Sequence, residues 1–152
     1  MVALMQAIQS EDAQSEDYCC ATDNAISAVF SILLSGMVSG HLFNQGLQLF
    51  VSCLPMQFDG EEAQTVHEKV VSTLKTGTLF NGCKNEVMKI LPYLLLPITD
   101  DGDNEIEISY EETKYEVAQL LNSLNAGERN NIMRTVDPEL KPIINNILSN
   151  IH

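Results

Sequence analysis

The stretch from Asp17 to Ser35 leaves this chain few ways to fold. Read as one helix, its polar residues make a thin stripe of Cys20, Asn24, Ser27, Ser31 and Ser35, at spacings of three and four. Ala25, Ile26, Ala28, Val29, Phe30, Ile32, Leu33 and Leu34 occupy the rest of the circumference. A helix with so narrow a wet face needs neighbours on several sides, as in stacked helical layers.

The remaining pattern is helical as well. Gly36 and Gly40 break the first helix, and His41 to Cys53 reads as a second, closed by Pro55. A third begins at Asp59, with Glu62 completing a capping box, and buries Ala63, Val66, Val70, Val71 and Leu74 before Gly77. Asn85 to Leu96 is expected to be a fourth, kinked or shortened by Pro92. Ser109 and Glu112 form the capping-box pattern for a fifth. A short helical segment carries Ile132 and Met133, and Asp137-Pro138 should start the last helix, with Pro142 bending its first turns. Met1 to Gln9 reads as the tail of a helix whose beginning is missing. The only alternating run, Glu105-Ile106-Glu107-Ile108, looks too short and acidic to build a sheet. Helices joined by short capped turns at roughly forty-residue spacing fit HEAT-like repeats. The expected fold is all-α: antiparallel helical pairs stacked as a segment of an α-α superhelix, one domain over 1–152, about three to four units with an acidic connector at 98–109.

Charge narrows the partners. Lys plus Arg number 8 against 21 Asp plus Glu, a formal net charge of −13. Such a surface repels phosphate backbones and anionic lipid, which argues against nucleic acid and membrane and favours basic partners, although solubility explains the same charge. Cys19, Cys20, Cys53 and Cys83 form no C-x-x-C pair, so free thiols in a reducing compartment, cytosolic or nuclear, are expected.

Sites for chemistry fare poorly. Ser39, in Gly36-Met37-Val38-Ser39-Gly40, is not a nucleophile elbow, and His41 beside it lacks a recognisable carboxylate to orient it. No phosphate-binding loop occurs, and His41, His67 and His152 lack metal-ligand spacing, His67 reading as a boundary residue of the third helix. From Asp101 to Glu112 the acidic residues approach an EF-hand loop, with Asp101, Asp103, Glu105, Glu107 and Glu112 in ligand positions. Ile106 stands where that loop needs glycine, and Pro97 breaks the entering helix. The expectation is no enzyme, no cofactor and no metal.

Ala21-Thr22-Asp23-Asn24-Ala25-Ile26-Ser27-Ala28-Val29, followed by Leu54-Pro55 and then Glu61-Glu62-Ala63-Gln64-Thr65-Val66-His67-Glu68, resembles the importin-beta superfamily of nuclear transport receptors. The pattern is that of the C-terminal HEAT repeats of the importin-5, or karyopherin beta-3, type. The likeness runs from Leu4 to about Leu148 and is weakest over 98–110. Two positions depart from the family. Phe50 stands near the place of a tryptophan before Leu-Pro, and Phe30-Ser31 follows Val29 where a Gly-Lys pair is usual.

The resemblance implies a C-terminal segment of a longer receptor in cytoplasm and nucleus. Such a receptor carries basic import cargo past nucleoporins and releases it to the GTP form of Ran. Ran contacts the N-terminal arch in the family, so this segment should not bind it tightly. Candidate cargo contacts are Asp100, Asp101, Asp103, Glu105, Glu107, Glu111 and Glu112. A stand-alone helical-repeat scaffold and a calcium-binding helical protein remain as alternatives.

Overall fold

The computed structural model describes residues 1–77, 79–99 and 104–151. Among them are eight α-helices: α1 Val2–Ile8, α2 Cys19–Leu34, α3 Gly40–Ser52, α4 Gly60–Thr76, α5 Lys84–Ile90, α6 Glu111–Ser123, α7 Ala126–Thr135 and α8 Lys141–Asn150. The fold is all-α and repeat-like. α2 packs on α4, α4 on α6, and α6 on α8, each helix meeting the next but one along the chain. α1 and α3 lie against α2, while α5 packs on α7.

The helix with the thin polar stripe is covered as its sequence requires. Ile26, Val29, Phe30 and Leu33 of α2 are buried, with Val29 wholly so. Phe30 stacks on Phe50 of α3, ring centroids 4.2 Å apart and planes 8° from parallel, and lies 6.2 Å from the Phe80 ring. These rings join α2, α3 and the turn after α4. The same connected core continues through Val66, Val70 and Val71 of α4 to Val117, Ala118 and Leu121 of α6 and Ile144 and Leu148 of α8.

Local signals were met unevenly. Only half of the expected Asp59–Glu62 box forms: Asp59 caps α4 by accepting from the Glu62 N–H at 3.1 Å, while its own N–H goes to Asp23. Gly77 ends the helix with φ 74°, a left-handed conformation that suits glycine. Gly60 is needed for space, because a Cβ there would come within 2.8 Å of the Ile106 side chain. Pro92 does not kink a continuous helix. α5 stops at Ile90, and Leu91–Leu95 tightens into a 3₁₀ segment with Pro92 in its first turn, packed on α6.

Four expectations need correction. Glu105–Ile106 does pair, as strand β2 antiparallel to β1 (Ile98–Thr99), giving a two-stranded ribbon one pair of residues long on each side. No Ser109–Glu112 box forms. Tyr110 occupies the cap position, and Ser109 points inward with its Oγ buried and without a partner among the described residues. Asp137-Pro138 makes a turn in which Asp137 Oδ1 accepts from the Glu139 N–H, and α8 starts only at Lys141. Pro142 therefore lies in the first turn of α8, where a missing N–H costs no helical bond. Finally, His67 is not a boundary residue: it is fully buried.

Candidate functional site

The acidic connector and the N-terminus of α6 form the surface that the charge pattern singles out. Asp100, Asp101 and Asp103 lie outside the described residues. Glu105 is exposed on β2. Glu107 and Glu111 converge on Lys114, Glu111 at 3.0 Å, so both carboxylates are paired within the chain and one of their two charges is offset. Partial burial works against the Lys114 ammonium, but the two carboxylates outweigh it and raise its pKa above the ordinary lysine value.

Glu112 is separated from that group. It lines a cleft of about 340 Å³ together with Glu68 of α4, Tyr110, Thr113 and Glu116. Glu112 and Glu116 share a face of α6 at a four-residue spacing, and Glu68 joins them only because α4 packs on α6. Glu116 is paired with Lys75 at 2.7 Å. Glu68 and Glu112 have no ion pair among the described residues. Thr113 is 2 % exposed and forms part of the cleft wall. Sequence reasoning found Glu112 but missed Glu68, Glu116 and Tyr110 as its companions; only the α6 spacing offered a signal.

Two buried polar groups hold this surface in place. His67 bridges two segments: its Nε2 accepts from the Met56 N–H at 3.1 Å, which leaves Nδ1 to donate to the Ile108 carbonyl at 2.6 Å. Burial drives its pKa down to about 4, so the ring is neutral near pH 7. Asp23, 2 % exposed, accepts from the N–H groups of Phe58 and Asp59 at 3.0 and 2.9 Å. Burial raises its pKa, and those two N–H groups counter part of the rise. Gln64 Nε2 adds a third tie, donating to the Glu107 carbonyl at 2.8 Å. That carbonyl is the one an EF-hand would offer from its seventh position.

The described residues contain no group of three His, Cys, Asp or Glu side chains placed to hold a metal ion, and no helix long and apolar enough to cross a membrane. All four cysteines are unbridged. Burial raises the pKa of Cys53 and Cys83, keeping both thiols protonated near neutral pH and weak as nucleophiles. No family model, curated protein or solved structure matches the chain.

Proposed function

We propose that this chain works by binding proteins, as a helical-repeat segment of a nuclear transport receptor whose partners are basic import cargo. The observation that carries the reading is an acidic surface, mostly unneutralised, on a stacked helical frame. Against 21 acidic residues there are 8 Lys and Arg, and only Lys75 and Lys114 form ion pairs among the described residues. Stacked helices offer long faces to extended partners, and the charge speeds encounter with Lys- and Arg-rich ones.

The transport reading rests on the residue pattern, whose segments also touch in the fold. Asp23 belongs to its first segment. Its hydrogen bonds reach Phe58 and Asp59, which lie between the Leu54-Pro55 and Glu61–Glu68 segments. Phe50 and Phe30, which stand at the two departures from the family pattern, stack on each other in this chain. Cytoplasm and nucleus, nucleoporins and Ran belong to the proposed parent receptor.

Calorimetric titration with a Lys- and Arg-rich import signal peptide tests the binding role. Binding should be present at low salt and weaken strongly at about 0.5 M, where the Debye length falls below about 5 Å. Binding that ignores salt, or none at low salt, overturns it. Tight binding of GTP-loaded Ran by this segment would contradict the C-terminal placement.

A further inference from the structure

We infer that the cleft between α4 and α6 receives the cationic end of a lysine or arginine side chain presented by a protein partner. The inference rests on the proposed binding of basic proteins and gives it a location that the connector residues alone did not.

The lining supplies what such a group needs. Glu68 and Glu112 stand on opposing helices with no cation of the chain paired to them among the described residues, whereas Glu107, Glu111 and Glu116 are each held by a lysine. Tyr110, 40 % exposed, also lines the cleft. An aromatic face there packs the aliphatic stem of a long basic side chain and attracts its charge.

Thr113 points to a ligand independently of the carboxylates. Its residue is almost wholly buried, yet its hydroxyl makes no hydrogen bond to the described residues and is not among the side-chain atoms sealed from solvent. The sliver of this residue that stays accessible is in the cleft wall. An unpartnered hydroxyl on a residue of the acidic cleft's wall is an acceptor for an incoming N–H. At about 340 Å³ the space suits a side chain better than a folded element.

The test is a calorimetric titration at low salt with a short peptide in which lysine alternates with glycine, and with its fully acetylated counterpart. Glu68→Gln combined with Glu112→Gln should weaken binding of the charged peptide about tenfold. Glu11→Gln combined with Glu16→Gln removes the same charge from exposed positions on the segment between α1 and α2, and should change binding less than about twofold. Thr113→Val should weaken binding while leaving the melting temperature unchanged or higher, since the hydroxyl has no described partner to lose. The acetylated peptide should not bind. Equal weakening by both double variants overturns the cleft and leaves the basic-partner reading standing. A wild-type chain that ignores the charged peptide overturns both.

Discussion

His67 Nδ1 lies 2.6 Å from the Ile108 carbonyl oxygen, across forty-one residues of chain. With Met56 N–H on its other nitrogen, this ring is the hydrogen-bonded link between α4, the loop before it and the acidic connector after the ribbon. Its pKa falls from 6.5 to about 4 on burial. The folded state thus takes up the proton less readily than the unfolded chain. The stability this confers is fully present above pH 6.5 and is lost as pH falls toward 4, on the order of 3 kcal/mol in all. Urea unfolding followed over that range should show the loss. His67→Gln should flatten the pH dependence even though it lowers stability at pH 7.

Ser109 presents the opposite case. Its Oγ is buried without a partner among the described residues, a state that costs free energy. Ser109→Ala should raise stability by about 1 kcal/mol, seen as a higher urea midpoint at unchanged slope. A loss of stability would mean that the hydroxyl has a role in the connector that the folded structure does not display.

Asp23 separates the effect of charge from that of hydrogen bonding. Because its pKa is raised, mainly by burial, the folded state favours the protonated form. A stability cost therefore grows as pH rises above the ordinary value of 3.8. Asp23→Asn keeps an acceptor for the Phe58 and Asp59 N–H groups and removes the charge, so it should be neutral or stabilising near pH 7. Asp23→Leu strands both donors and should cost about 1–3 kcal/mol for each. Chemical denaturation of both variants distinguishes the two contributions.

The Phe30–Phe50 pair should behave as one unit. Phe50→Ala should cost about 3–5 kcal/mol by emptying the centre of the α2–α3 contact. A double-mutant cycle with Phe30→Ala should return a coupling of about 0.5–1.5 kcal/mol. Independent, additive losses would show that the stack contributes only its buried area.

Most of the helical frame was legible in the sequence because its signals are local. The stripe on α2, the Asp59 cap and the Gly77 stop each depend on residues within a few positions; the cap and the stop appear where expected, and the stripe does so except that Ser27 is buried and Leu34 exposed. Asn125 and Glu128 show the same logic from the other side: they form a complete capping box that was open to reading and went unread. Asp137-Pro138 failed locally, closing a turn rather than starting α8; the other failures were non-local. Ser109 has the cap pattern but is drawn inward beside Ile108, which is fully buried. His67 reads as a boundary residue until the connector folds over it. The acidic cluster likewise looked like one patch from 100 to 112, yet Lys114 splits it and α4 supplies Glu68 from a distant part of the chain. Local chemistry names the pieces, whereas long-range packing decides which carboxylates stay free.

The succession of α2, α4, α6 and α8 has a mechanical meaning. Where each rung also rests on the next, stress applied at one end is passed along and diluted, and loss of a terminal rung removes its own contacts rather than collapsing a centre. Such a chain opens like a zipper from its ends. Amide exchange should be fastest in α8, which leans on α6 and the 3₁₀ segment, and slowest in α2 and α4, which are gripped from more than one side.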